Sequence, residues 1–279
     1  MNPVKIDLYT RCWNDAHMLG FMFRHYDDLV QRYVVYDDGS TDGSLDILAA
    51  HPKVEIRDQA AYRNPSSRVL GALALLETCW HESRGRADWV IVCDIDEHLY
   101  HPKIDLYLSA CKRAGITIIP ALGYQMIADE FPPQGIRLSD SLTMGAPFED
   151  MNKLDIFSTD DVDATLCEPG RHKAAPVGRI VAPLRDELLL LHYKYLGFER
   201  TKQRHQQYRA RRLLTDISND WGRQYRWSPE QLADSWLQFT DNLVDISRQD
   251  LAPWRSHKAA RWWIDYPRRP CLWEAQAGT

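Results

Sequence analysis

The chain has 279 residues, with 34 Lys and Arg against 39 Asp and Glu and a net charge of -5. That length buries a full core in one large α/β domain, or in a domain with an appendage. The mild acidity gives no reason to expect nucleic acid or an anionic membrane as a partner. No apolar stretch of about 18 residues occurs and the opening MNPVKIDLYT lacks a signal-peptide core, so no transmembrane segment and a cytoplasmic location are expected. The six cysteines, at 12, 79, 93, 111, 167 and 271, form no C-x-x-C pair, which argues against zinc clusters. Cys79, Cys93 and Cys111 lie among apolar neighbours and read as small buried hydrophobes.

In chain order, the first half alternates strand and helix. Residues 4–10 form a first strand, and Leu19, Met22, Phe23, Tyr26, Leu29 and Val30 recur at helical spacing. Residues 33–36 make a second strand, and Ser40 or Thr41 is placed to cap a short helix through Leu45, Ile47 and Leu48. A third strand covers 54–57, an apolar helix 69–80, and a fourth strand 89–93. A helix over 104–114, with Gly115 as its C-cap, precedes a strand over 116–119. This alternation predicts a mostly parallel sheet covered by helices on both faces. Ligands bind such sheets beyond the carboxyl ends of the strands. Thr10-Arg11, Asp37-Asp38 and Asp94-Ile95-Asp96 all fall there.

Residues 123–185 are rich in proline and short turns, which predicts long loops over the active edge. A compact strand over 188–191 leads into His192-Tyr193-Lys194. Residues 199–214 form a strongly basic helix, read as a solvated face against an acidic body. A further helix lies around 228–246, followed by a tail rich in Trp and Pro. Its large aromatics read as anchors of a helical appendage on a core.

Asp94-Ile95-Asp96-Glu97 ends the apolar run Trp89–Cys93 and carries three carboxylates out of the sheet into a loop. Uncompensated carboxylates there repel one another, and Asp-x-Asp at a strand end suits Mg²⁺ or Mn²⁺ that also binds a substrate phosphate. There is no P-loop and no G-x-G-x-x-G dinucleotide fingerprint. Asp38-Gly39-Ser40-Thr41-Asp42-Gly43 begins like a calcium loop, but Ala49 stands at the twelfth position, where a bidentate Glu is required.

Tyr36-Asp37-Asp38-Gly39-Ser40-Thr41-Asp42-Gly43-Ser44 closely resembles the D-D-G-S-x-D-x-[ST] signature of family 2 glycosyltransferases. Asp94-Ile95-Asp96-Glu97 follows at the distance expected of their metal-binding D-x-D. Tyr9-Thr10-Arg11-Cys12-Trp13-Asn14-Asp15 is similar to their opening nucleotide-binding turn, with Asn-Asp where many relatives have Asn-Glu. The D-x-D-E ending, followed later by His192-Tyr193-Lys194, resembles the subgroup bearing D-x-D-E-[FH]. The likeness covers roughly residues 4–200.

The resemblance implies a nucleotide-diphospho-sugar transferase (GT-A) fold over 1–200, with a helical extension over 201–279 packed on it. It implies a metal-dependent hexosyltransferase that moves sugar from a UDP- or similar nucleotide sugar to a glycan, lipid or small-molecule hydroxyl, with inversion. Asp96 would ligate Mn²⁺ or Mg²⁺, and Asp94 would reach the metal or the ribose. Asp38 and Asp37 would bind base and ribose, and Thr10 and Arg11 would line the nucleotide pocket. Asn14 or Asp15 would assist there or cap the first helix. His192 would be the late histidine that such enzymes supply to the cation, His172 competing for that place, and Lys194 would face the diphosphate. Glu149-Asp150 would supply the catalytic base, since an acidic pair opening a helix resembles the family's E-D element; Asp129-Glu130 is the other acidic pair in range. Two rivals stay open, a nucleotidyltransferase and a non-catalytic nucleotide- or sugar-binding module of the same fold.

Overall fold

The computed structural model describes residues 4–248, 252–258 and 260–274. The chain runs β1 (Ile6–Cys12), α1 (Ala16–Tyr26), β2 (Arg32–Asp37), α2 (Ser44–Ala49), β3 (Val54–Asp58), α3 (Arg68–Thr78), β4 (Trp89–Val92) and β5 (Glu97–Tyr100). It continues through α4 (Ile104–Arg113), β6 (Leu122–Ala128), α5 (Leu138–Ser141), β7 (Met144–Pro147), β8 (Ile156–Phe157), β9 (Val162–Ala164), β10 (Val177–Gly178) and β11 (Ala182–Pro183). Then follow β12 (Leu189–Leu196), α6 (Phe198–Arg211), α7 (Leu214–Ser218), α8 (Pro229–Thr240), β13 (Val244–Asp245), α9 (Pro253–Ser256) and β14 (Arg268–Arg269). No helix among the described residues is long and apolar enough to cross a membrane.

The central sheet has the order β3-β2-β1-β4-β8, with the first four strands parallel and β8 antiparallel at the edge. Its inner strands β1, β2 and β4 are buried on both faces, β4 as a continuous apolar run, while β3 at the edge is largely exposed. Side chains alternate between two cores, as the pleat requires. Ile6, Leu8, Tyr33, Val35 and Ile91 meet Leu19, Met22 and Tyr26 of α1, while Tyr9, Val34, Tyr36, Val90 and Val92 meet Leu75 and Leu76 of α3 and Trp80. This is the α/β architecture expected: a mainly parallel sheet flanked by helices.

A second sheet, β13-β7-β6-β12-β5, stands beside it, with β6 and β12 parallel and the other pairings antiparallel. The strand expected over 116–119 is not formed. Ile118 makes only an isolated bridge to Phe157, and the strand begins at Leu122 instead. Pro120 intervenes, and it has no N–H to give a ladder. The helix expected to run to Ile246 stops at Thr240, and Val244–Asp245 joins the second sheet beside β7.

The chain beyond α6 is tied in by polar anchors. Trp263 is fully buried and its indole N–H donates to Asp186 at 2.9 Å, while Arg261 reaches the other oxygen of Asp186 at 2.8 Å. β14 pairs with β11, and the imidazole of His257 meets the Gly123 carbonyl at 2.8 Å.

Candidate active site

Two loops at the carboxyl edge of the central sheet are stapled to each other by the residues of the D-D-G-S-x-D stretch. Asp37 accepts from the N–H groups of Gly39 (2.9 Å) and Ser40 (3.1 Å), closing its own turn. The Asn14 N–H donates to Ser40 Oγ at 3.0 Å, and Asn14 Oδ1 accepts from the Thr41 N–H at 2.6 Å. Asp42 accepts from the first N–H of α1, Ala16, and from the Ser44 N–H, each at 3.1 Å, so one carboxylate serves the start of two helices. The expected cap of α2 by Ser40 or Thr41 is absent: the N-cap is Gly43 at φ +88°, a left-handed position that suits glycine. Of this stretch only Asp38 turns into the adjoining cleft.

The cleft has a volume of about 170 Å³, and its floor is the turn between β4 and β5. What sequence suggested as an open loop is a tight crossing, closed by the Glu97 N–H donating to the Asp94 carbonyl at 3.1 Å. Glu97 points the other way. Its carboxylate accepts from the Asp94 N–H at 3.1 Å and from buried Lys153 Nζ at 2.5 Å. Burial works against its charge, but Lys153 holds the carboxyl below the usual range. Beside it Arg171 faces Asp155 at 3.2 Å and donates to the carbonyls of Val92 (2.6 Å) and Leu154 (2.9 Å). The Asp-x-Asp turn therefore rests on two buried ion pairs.

Asp96 projects into the cleft. Protein surrounds it on every side but the cleft opening, and burial pushes its carboxyl up to about 7, against the pull of Lys194. His192 Nε2 lies 3.8 Å from Asp96 Oδ2. The tautomer of His192 follows from its neighbour. The amide N–H of Gln125 donates to the carbonyls of Met126 and His192, both at 3.0 Å, leaving Gln125 Oε1 to accept from His192 Nδ1 at 2.8 Å. Nε2 therefore carries the lone pair, and burial together with Lys194 holds the ring neutral. Asp94, 44 % exposed, meets Arg11 at 3.4 Å.

The roof is α6. Gly197, at φ +76°, makes the turn from β12 into it, and a Cβ there would come within 3.0 Å of the Phe131 backbone nitrogen. Arg200, Arg204, Tyr208 and Arg211 recur at the spacing of one helix face, and that face looks inward. Arg204 donates to Asp15 at 2.5 Å and to the Trp13 carbonyl at 2.8 Å; burial still pushes the Asp15 carboxyl up to about 6. Arg211 lies 3.7 Å over the Trp13 ring and pairs with Asp38, which Arg68 (3.0 Å) and Arg63 (3.6 Å) also hold. Lys194 donates to Tyr225 OH at 2.9 Å. The basic helix is thus the cleft's ceiling, not a solvated face.

The structure brings Arg11, Asp38, Asp94, Asp96, His192 and Lys194 together on the wall of one cleft. It does not bring the other expected residues there. Thr10 is fully buried in β1, Asn14 spends its side chain on the staple between loops, and Asp37 spends its own on closing its turn. Glu149 and Asp150 form an exposed single turn outside the cleft wall, because Met151, packed under Gly123, anchors that turn on the second sheet. The Asp150 carbonyl meets His172 Nδ1, and His172 does not line the cleft. Sequence reasoning passed over Trp13, Gln59 and the α6 stripe. Gln59 lines the cleft at 4 % exposure with its Oε1 unpartnered among the described residues. The regular 200-204-208-211 spacing was the available signal for the stripe.

No three His, Cys, Asp or Glu side chains among the described residues converge as a ready-made metal centre. Asp96 and His192 do fit a cation. The bare ring nitrogen of His192 and, once deprotonated, the carboxylate of Asp96 stand at a separation that two bonds of about 2.1 Å to one small divalent ion can span.

No family model and no curated protein matches this chain. Among solved structures it is similar to TarS 1-349 of S. aureus, with 14 % identity over 56 % of this chain and 47 % of that one and a TM-score of 0.31. It is also similar to glucosyl-3-phosphoglycerate synthase from Mycobacterium tuberculosis, solved with Mn²⁺, uridine diphosphate and glucosyl-3-phosphoglycerate. There the identity is 21 % over 43 % of this chain and 44 % of that one, with a TM-score of 0.30. The chain spans about half the length of these structures.

Proposed function

We propose that this chain is a divalent-metal-dependent glycosyltransferase of GT-A type, moving a sugar from a nucleoside-diphosphate sugar, with UDP as the first candidate carrier, to an acceptor hydroxyl with inversion. In this reading residues 1–200 are the catalytic domain and 201–279 an extension packed on it, whose Arg204 and Arg211 roof the donor. The observation that carries the reading is the approach of His192 Nε2, a ring nitrogen without a proton, to within 3.8 Å of Asp96 Oδ2 in one cleft. Neutral imidazole beside carboxylate suits Mn²⁺ better than Mg²⁺. The count of protein ligands is low, as expected where diphosphate oxygens and water complete the shell.

Asp96 and His192 would hold the cation, with Asp94 able to join them or turn to the ribose. When bound, the cation would act as a Lewis acid toward the departing diphosphate. The chain's own residues bind and orient. Arg11 and Lys194 offset the charge of the diphosphate. The unpartnered Gln59 Oε1 offers the base a hydrogen-bonding edge, and Asp38 lines the same cleft within its three guanidiniums. Burial strengthens each of these contacts relative to water.

Melting curves of the purified chain with UDP, GDP, CDP and dTDP, each with and without Mn²⁺, test this. One nucleotide should raise the melting temperature only when Mn²⁺ is present; at a hundredfold excess over Kd the gain is about 2.7 kcal/mol. Asp96→Asn should abolish the gain. If no nucleotide gives a metal-dependent shift, the transferase reading fails.

A further inference from the structure

The cleft wall carries five cationic side chains, Arg11, Lys194, Arg200, Arg204 and Arg211, against four carboxylates. Three guanidiniums are matched: Arg204 with Asp15, Arg211 with Asp38 and Arg11 with Asp94. Lys194 is bonded to Tyr225 and lies in the field of Asp96. Arg200 is left over. Among the described residues its guanidinium has no hydrogen bond and no ion pair, and it lies 4.1 Å over the ring of Phe131. Burial and the like charge of Arg204 make that place unfavourable for a cation.

Position separates Arg200 from the donor. Arg211 is eleven positions further on, so at the helical rise the two stand about 16 Å apart along α6. Arg211 covers Trp13 and Asp38 at the central sheet. Arg200 covers Phe131, in the loop that follows β6 of the second sheet, and it shares that end of the cleft with His17. A guanidinium stacked on an aromatic face keeps its edge N–H groups free, in the fork that fits a carboxylate or phosphate bidentately.

We propose that Arg200 is the specificity residue for an acceptor that carries an oxyanion, a phosphate or carboxylate group, bound at the second-sheet end of the cleft while the donor occupies the other. The acceptor side rests on the transferase reading; the anion site rests on Arg200 itself.

The test uses methyl phosphate and acetate as probes at constant ionic strength, on the full chain, with and without saturating UDP and Mn²⁺. Wild type should be stabilised by one of the probes, equally well with the nucleotide bound, and which probe acts tells phosphate from carboxylate. Arg200→Gln should weaken that probe at least tenfold and change the apparent Kd for UDP·Mn²⁺ less than twofold, and Arg200→Lys should fall between. The proposal is overturned if wild type binds neither probe, if Arg200→Gln binds it as well as wild type does, or if Arg200→Gln loses UDP·Mn²⁺ tenfold, which would place Arg200 on the donor's diphosphate. Should UDP·Mn²⁺ fail to bind wild type while the probe still depends on Arg200, the transferase reading falls and the anion site stands.

Discussion

Histidines serve this chain in contrasting ways. His192 keeps one nitrogen on Gln125 and offers the other to the cleft. His101 is packed away, stacked 4.5 Å from Tyr107 and edged by Trp273, with its Nδ1 accepting from the Lys103 N–H at 3.1 Å. Burial pulls its pKa down to about 4, from an ordinary value near 6.5. The sign follows directly. Between these two values the unfolded chain takes up a proton that the folded chain refuses, so stability falls as pH drops through 6.5 and the loss levels off below the folded value. Between pH 7.5 and 5.5 this histidine should cost about 1 kcal/mol. Asp96, held up by burial, works in the opposite direction over the same range, so the wild-type curve alone does not isolate His101. The urea midpoints of wild type and His101→Gln at the two pH values do. The drop should be smaller in the variant, and equal drops would refute the assignment.

At the scale of elements, α8 shows a helix whose start is written in four residues. Ser228 Oγ accepts from the Gln231 N–H at 3.3 Å, Gln231 Oε1 accepts from the Ser228 N–H at 2.9 Å, and Pro229 fills the first position. Ser228→Ala should cost about 1 kcal/mol in urea unfolding without altering nucleotide binding, and an unchanged midpoint would show the cap to be idle. The same kind of local signal made β1 to β4 and α1 to α4 readable to within a few residues, because each carries its own apolar period. The shortest strands were less readable. β8, β10, β11, β13 and β14 are two residues each, too short to carry a period, and form only where another strand offers them a ladder. The pair Asp96 and His192 was named from the strand-end carboxylates and a histidine after an apolar strand, and the two do meet in the cleft. The side chains of Asn14 and Asp37, expected at a nucleotide, bond backbone N–H groups: Asp37 those of its own turn, Asn14 that of Thr41 in the loop opposite, a partner that no local pattern names. For α6, the spacing of Arg200, Arg204, Tyr208 and Arg211 marks a face, but nothing local says whether acidic strand ends or solvent lie beneath it.

On the scale of the molecule, the division near residue 200 is crossed repeatedly. Arg204 and Arg211 reach back to Asp15 and Asp38, β13 extends the second sheet, and Trp263 enters the core with its N–H on Asp186. Trp263→Ala should therefore destabilise the whole chain by about 3–5 kcal/mol, in one transition seen alike by circular dichroism and by nucleotide binding. Two separated transitions, with binding preserved through the first, would show that the tail melts alone.

β4 ends in the central sheet at Val92 and β5 begins in the second sheet at Glu97, so the chain changes sheets within the very turn that holds Asp94 and Asp96. That turn is a rivet between two plates. The bridges from Ile118 to Phe157 and from Ala121 to Lys153 share the load, and a ligand that grips Asp96 and His192 would fasten both plates at once. Occupancy of a few cubic ångströms at the rivet would then stiffen the shear mode of the entire body.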